Sequence, residues 1–156
     1  MNNHLRSALA LLGWIAFSFV ASISGAVVST RDWYAELVKP AWNPPPWVFA
    51  PVWTTLYLLI GIAAWLVWRN GGWSQQRRPL TWWVVQWALN LVWTPLFFGL
   101  HWIGAATIEI AVLWVAILMT IANFARVSRL AAALLVPYLV WVSFATALTF
   151  TLWRLN

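Results

Sequence analysis

The sequence predicts an all-α membrane protein: a five-transmembrane-helix bundle with a structured first loop acting as a lid. Hydrophobic residues make up 63 % of the 156 residues and charged residues only 8 %, whereas soluble domains carry about a quarter charged residues. Five stretches are about as long as a bilayer-spanning helix, and charged and turn-forming residues lie between them. Such a chain cannot build a water-facing surface, so lipid is its expected solvent.

The breaks between apolar stretches set the limits of the predicted helices. The spans are residues 5–28, 46–68, 80–100, 103–124 and 130–153, within one domain that covers residues 1–156. Short connections make the last three helices antiparallel neighbours, and Pro95 should kink the third. A signal peptide is the alternative for the first stretch, because Arg6 precedes an apolar core. Its length favours a retained helix.

The basic residues indicate an orientation rather than a nucleic-acid surface, because they stand singly between apolar runs instead of clustering on one face. With five spans, six arginines fall on the side of the N-terminus and three basic residues on the other. The positive-inside rule then places the N-terminus in the cytoplasm. Helical spans favour an inner bacterial membrane, since outer-membrane proteins are usually barrels. The arginines are Arg6, Arg69, Arg77, Arg78, Arg126 and Arg129, against Arg31, Lys39 and Arg154.

Metal and catalytic sites find little support. The chain has no cysteine, which excludes thiolate metal sites and iron–sulfur clusters. His4 and His101 are isolated, so a zinc or haem ligand pair is not expected, and no nucleophile–base pair stands out. Glu109 is a carboxylate inside a predicted span, which suggests a role in ligand binding or proton transfer. Alternatively, it reaches the membrane interface or pairs with an arginine or histidine.

Sixteen tryptophans are the strongest single signal. An aromatic belt at the membrane interface accounts for those near helix ends: Trp65, Trp68, Trp73, Trp82, Trp83, Trp102 and Trp153. It does not account for those deep inside the spans: Trp14, Trp53, Trp93, Trp114 and Trp141. A buried indole N–H seeks a partner. The interior tryptophans therefore either wall a pocket for a planar aromatic ligand or fill gaps between helices.

The third predicted helix favours the pocket. Gln86, Asn90 and Trp93 share one face with Thr94 and Phe97. Two amides in mid-membrane should point into the bundle, where hydrogen bonding between helices is the alternative to ligand binding. Helices two and five add matching faces, and together the three faces predict a cavity. Their residues are Trp53, Tyr57, Pro137, Trp141, Phe144, Ala145 and Leu148.

The first loop, residues 29–45, is predicted to be a lid over the outer mouth of the bundle. Asp32 can cap a short helix that Pro40 stops, and a run of prolines then enforces an extended stretch. Its tryptophans and Tyr34 give it apolar faces that can lie on the bundle. A loop that rests on lipid headgroups is the alternative.

Several motifs resemble the TspO/MBR family of bacterial tryptophan-rich sensory proteins and mitochondrial translocator proteins, also called peripheral benzodiazepine receptors. The resemblance runs in order along nearly the whole chain. Its motifs are Trp33-Tyr34, Lys39-Pro40-Ala41-Trp42-Asn43-Pro44-Pro45, Trp53, Gln86, Asn90, Trp93-Thr94-Pro95, Phe97-Phe98-Gly99, Val136-Pro137-Tyr138-Leu139, Trp141, Phe144-Ala145-Thr146 and Trp153-Arg154.

The resemblance implies a five-helix bundle, often dimeric, with a pocket at the first-loop end. The implied ligands are protoporphyrin IX or a haem-type tetrapyrrole and isoquinoline-carboxamide drugs. The implied ligand-binding residues are Tyr34, Pro44, Trp53, Gln86, Asn90, Trp93, Trp141 and Ala145. Sterol binding is implied weakly, because Phe150 stands where the sterol pattern of animal members wants tyrosine.

The expected function is therefore a membrane receptor or sensor for porphyrin-type tetrapyrroles in stress or tetrapyrrole regulation. A transporter of such ligands and a light-dependent porphyrin-degrading enzyme are the alternatives. The enzyme is the less expected because no catalytic residue is evident. A homodimer is expected through small residues of the first helix or through the third helix. The small residues are Ser18, Ser22 and Gly25-Ala26.

Overall fold

The computed structural model describes residues 3–27 and 32–156, and in these residues all regular structure is helical. A 3₁₀ turn at Pro46–Val48 leads into α4, and a π-helical turn at Pro95–Gly99 follows α6. The α-helices are α1 (Asn3–Val20), α2 (Ile23–Val27), α3 (Asp32–Glu36), α4 (Phe49–Trp68), α5 (Gly72–Gln75), α6 (Arg77–Thr94), α7 (Ile103–Ala125), α8 (Arg129–Leu134) and α9 (Val136–Leu155).

The helices support a membrane protein. Within the described ranges, the segments Pro46–Trp68, Ile103–Ala125 and Arg129–Leu155 are long and apolar enough to cross a bilayer, and His4–Val20 is apolar but shorter. The fold is thus an all-helical membrane bundle. The third predicted span is not among these segments; it contains the amides Gln86 and Asn90.

Three predicted helices differ from the observed ones: the fifth is divided at Leu135 into α8 and α9, and the first and third differ as follows. The first is interrupted after Val20 by a turn at Ala21 and Ser22, then resumes as α2; residue 28 lies outside the described residues. In the third, α-helix gives way to the π-turn at Pro95, where the Leu100 N–H donates to the Pro95 carbonyl at 2.9 Å. Pro95 has no N–H for the α-helical ladder, which accounts for the change from α-helix to π-turn at this residue.

The bundle closes through pairwise packing of its long helices. α1 lies along α4, α7 lies between α6 and α9, and α8 packs on α4. The α1–α4 contact is close because Gly61 faces the other backbone: a Cβ at this position would stand 2.6 Å from the Ile15 Cα atom. Ring contacts between Trp14 and Trp83 then join α1 to α6.

Two interpretations of the sequence are wrong in this region. Trp83 does not belong to an interfacial belt: it is fully buried, and its indole N–H donates to the Ile60 carbonyl at 3.1 Å. Ser18 is likewise fully buried, so it cannot contribute to a dimer surface. Trp83 faces the α1–α4–α6 contact, and sequence spacing alone did not separate either buried position from the lipid-facing side.

Candidate functional site

The segment Asp32–Pro45 has a fixed shape of its own. The Tyr34 hydroxyl donates to Asn43 Oδ1 at 2.7 Å, and the Asn43 N–H donates to the Pro40 carbonyl at 3.0 Å. Lys39 Nζ donates to the carbonyls of Ala35 and Leu37, both at 3.0 Å. Burial raises the pKa of the Tyr34 phenol, although the hydrogen bond with Asn43 opposes the rise. The phenol therefore remains a donor.

The rings of this segment pack on one end of the bundle. Trp33 stacks on His101 with ring centroids 4.1 Å apart, and its edge meets Phe97. Trp42 contacts Phe144 of α9 edge-on at 5.7 Å. Trp33, Phe97 and Phe144 belong to a cluster around the π-turn. In it, Trp93 stacks on the Phe97 ring at 5.0 Å. The segment thus lies over an aromatic surface built by α6, the π-turn and α9.

Asn90 is the centre of a buried polar bridge between three helices. The Tyr57 hydroxyl of α4 donates to Asn90 Oδ1 at 2.8 Å, and Asn90 Nδ2 donates to the Tyr138 hydroxyl of α9 at 3.0 Å. All three residues are buried. The amide predicted as a ligand contact is therefore largely engaged within the bundle, with one Nδ2 hydrogen left over.

Three other predicted site residues carry buried polar atoms without a partner among the described residues. Gln86 has neither donor nor acceptor satisfied, and the indole N–H groups of Trp93 and Trp141 are free. Buried polar groups without a partner are rare and costly, so each needs an explanation. Glu109 on α7 also has both carboxylate oxygens unpartnered.

The remaining predicted site residues occupy different parts of this region. Trp53 is half-buried and stacks on Tyr57 at 5.4 Å, next to the polar bridge. Ala145 is half-buried on α9 and packs against the same core as Trp93 and Trp141. Pro44 belongs to the segment that covers the aromatic surface, where its carbonyl accepts from Asn43 Nδ2 at 3.1 Å.

A groove of about 780 Å³ runs between α4 and α9. Its walls are apolar apart from the Thr55 hydroxyl, which donates within α4 to the Pro51 carbonyl. Trp141 and Phe144 line the groove and also reach the aromatic surface. Its walls are Pro51, Val52, Thr55, Leu56, Val136, Pro137, Val140, Trp141 and Phe144.

Sequence reasoning missed several residues that shape the site. Tyr138 was noticed only as part of a motif, although a tyrosine in mid-span has the same need for a partner as Asn90. Asn156 donates to and accepts from the backbone of Val38. No sequence pattern links residues that far apart. His101 was rejected as a metal ligand, and its role as a stacking partner had no sequence signal.

The described residues thus form a helical membrane bundle with a covered aromatic surface and several buried polar groups that have no partner. The model of the TspO/MBR family matches residues 8–154. The chain therefore belongs to the TspO/MBR family, and its resemblance to that family is confirmed.

Relatives come from archaea, bacteria and animals. The tryptophan-rich protein TspO of Archaeoglobus fulgidus is 40 % identical over 99 % of this chain and 99 % of its own length. The tryptophan-rich sensory protein of Cereibacter sphaeroides is 38 % identical over 93 % of this chain and 90 % of its own length. The human translocator protein is 44 % identical over 80 % of this chain and 75 % of its own length. These names support a membrane sensor or receptor.

Proposed function

We propose that the protein is a membrane receptor that binds porphyrin-type tetrapyrroles between α4, α6 and α9, beneath the Asp32–Pro45 segment. The observation that carries the proposal is the set of unpaired buried polar groups at Gln86, Trp93 and Trp141. A ligand with hydrogen-bond acceptors would satisfy the two indole donors and the Nε2 donor of Gln86. The neighbouring rings favour a planar aromatic body, because aromatic faces gain from stacking.

A porphyrin combines both properties. Its macrocycle is flat and apolar, and its carboxylate side chains are acceptors. The groove between α4 and α9 adds space next to Trp141 in the size range of small-molecule sites. The resemblance to the family points to the same ligand class and to the same eight residues. Binding of this ligand would serve a sensory role in stress or tetrapyrrole regulation.

The proposal includes the five-span architecture and a lid. In it, α1 with α2 and α6 with the π-turn cross the bilayer alongside the three longer apolar segments, and the Asp32–Pro45 segment closes the outer mouth. The six arginines of the opposite end are exposed, which suits a cytoplasmic side with its N-terminus inside. We place the protein in the inner membrane.

A reporter fused within residues 69–79 should then read as cytoplasmic and one after Arg154 as external; the reverse pattern would refute this orientation.

A homodimer is also part of the proposal. With Ser18 buried, the small residues still exposed on this stretch are Ser22, Gly25 and Ala26, and α6 offers an exposed apolar strip at Val85 and Val92. Native mass measurement in mild detergent should show a dimer. A monomer at every concentration would refute the assembly without affecting the ligand site.

The test of binding is titration of the purified protein with protoporphyrin, followed by quenching of tryptophan fluorescence. Ala145→Thr adds bulk to a wall of the site, and overpacking costs about 1–3 kcal/mol. The affinity should therefore fall roughly five- to 150-fold, while circular dichroism shows unchanged helicity. The control is Trp102→Phe, because Trp102 is exposed and should change nothing. Equal effects of both variants, or no binding by the unaltered protein, would contradict the proposal.

Transport is the second candidate, because several relatives are called translocator proteins. Porphyrin uptake into proteoliposomes distinguishes the two functions. A receptor gives saturable binding without accumulation inside the vesicle. A transporter gives accumulation that Ala145→Thr reduces.

A further inference from the structure

We infer that Asn156 is a latch that fastens the Asp32–Pro45 segment to α9 and thereby controls how fast ligand enters and leaves the site. The role in ligand exchange rests on the proposed function; the latch itself does not.

The segment is a preformed unit, because its hydrogen bonds from Tyr34 and Lys39 lie within the segment itself. Its ring contacts with the bundle are stacking and edge contacts at Phe97, Phe144 and His101. Such contacts tolerate sliding, since aromatic pairs accept a range of distances and angles. They hold the segment near the site without fixing its position.

Asn156 supplies a directional attachment. Its Oδ1 accepts from the Val38 N–H at 2.9 Å, and its Nδ2 donates to the Val38 carbonyl at 3.0 Å. The second Nδ2 hydrogen goes to the Leu152 carbonyl of α9, also at 3.0 Å. The side chain therefore uses one acceptor and both donors. It joins the backbone of the segment to the backbone of the helix.

The position of the latch suits control of opening. At one side of the segment, Trp33 rests on His101, which adopts the left-handed backbone conformation with φ 58°. Val38 and Asn156 are both exposed, so the hydrogen bonds can break without uncovering a core. Release of Val38 would leave the segment held by its aromatic contacts and by the packing of Leu37. It could then swing away from Phe144 and Trp93.

Cysteine labelling tests the latch without any ligand, because the chain has no cysteine of its own. Leu37 is half-buried in the cluster under the segment. In a Leu37→Cys background, with the purification tag at the N-terminus, Asn156→Ala removes all three side-chain hydrogen bonds. Asn156→Asp keeps only the acceptor for the Val38 N–H. Thr151→Ala is the matched control, since that hydroxyl donates only to Ala147 of its own helix.

The expected result is maleimide labelling at least about fivefold faster for Asn156→Ala, from the loss of two hydrogen bonds to the segment. Asn156→Asp should also be faster, and Thr151→Ala should be unchanged. Protoporphyrin dissociation should accelerate in the same order. Unchanged labelling overturns the latch. Faster labelling with unchanged dissociation overturns its control of exchange. Absence of porphyrin binding in the unaltered protein refutes the proposed function, while the labelling result still decides the latch.

Discussion

Tryptophans on the α1 side of the molecule and tryptophans beneath the Asp32–Pro45 segment differ in one respect. On the α1 side, the indole N–H groups of Trp65, Trp83 and Trp87 each donate to a backbone carbonyl at 3.1 Å. In the site region, the described structure gives Trp93 and Trp141 no partner. Tryptophan N–H groups thus hydrogen-bond between helices on the α1 side, whereas those of the site region have no partner among the described residues. Under the proposed function, the unpaired indole N–H groups of Trp93 and Trp141 are the donors that a ligand would use.

Trp83→Ala should cause the largest loss of stability, because it removes a buried ring from the packed α1 side. Trp83 is fully buried against Trp14 and Phe17, and deleting a buried aromatic side chain costs about 3–5 kcal/mol. Thermal unfolding in detergent should show a large loss of stability. Trp102→Ala, on an exposed position, is the control. A loss no larger than that of the control would mean that the α1 side is not a tightly packed core.

Gly61→Ala should have the next largest effect and tests the same side. The new Cβ would approach the Ile15 backbone to 2.6 Å, and backbone cannot move as a flexible side chain does. Overpacking costs about 1–3 kcal/mol, measured again by unfolding in detergent. Gly13→Ala is the matched control on α1, because nothing lies within 4 Å of its added Cβ and alanine favours helix. Comparable losses would show that α1 and α4 can separate at little cost.

The helix types followed from the sequence because apolar length is a local property. The bounds of the three longer apolar segments agree with the prediction to within a few residues. Pro95 marks the residue at which α6 ends and the π-turn begins. The contact partners of individual side chains could not be predicted from the sequence. Whether Trp83 faces lipid or Ile60, and whether Ser18 faces outward, depends on how helices rotate about their axes. Spacing within one helix does not fix that rotation.

The site shows the same division. The amides of α6 were expected to point into the bundle, and Gln86 and Asn90 are both buried. The partners of Asn90 on α4 and α9 could not be read from the sequence, because Tyr57 and Tyr138 are far away in it. Asn90 as a ligand contact and the other seven site residues stay predictions.

Asn90→Leu lies at the boundary between the two regions and should have an intermediate effect. It leaves the hydroxyls of Tyr57 and Tyr138 buried without their amide partner, at a cost of about 1–3 kcal/mol. Stability in detergent should fall, and porphyrin affinity should fall with it. The triple variant with Tyr57→Phe and Tyr138→Phe removes the unpaired hydroxyls. It should recover most of the stability; no recovery would show that the bridge is not what Asn90 contributes.

Trp93→Phe should have the smallest effect on stability. It tests most directly whether the unpaired indole N–H groups of the site region serve a ligand. Phenylalanine preserves a ring beside Phe97 but removes an N–H that has no partner. The free protein loses no hydrogen bond, so its unfolding temperature should stay the same or rise. A ligand acceptor that uses this N–H would lose it, and porphyrin affinity should fall roughly two- to tenfold.

The matched control for Trp93→Phe is Trp87→Phe, six residues earlier on α6. Trp87 donates to the Phe17 carbonyl, so its loss should lower stability by about 1 kcal/mol and leave porphyrin affinity unchanged. Fluorescence titration and thermal unfolding of both variants give four values. The comparison holds if stability falls only for Trp87→Phe and affinity falls only for Trp93→Phe. The opposite pattern would mean that the unpaired indole at Trp93 fills space and that the donors for a ligand lie elsewhere.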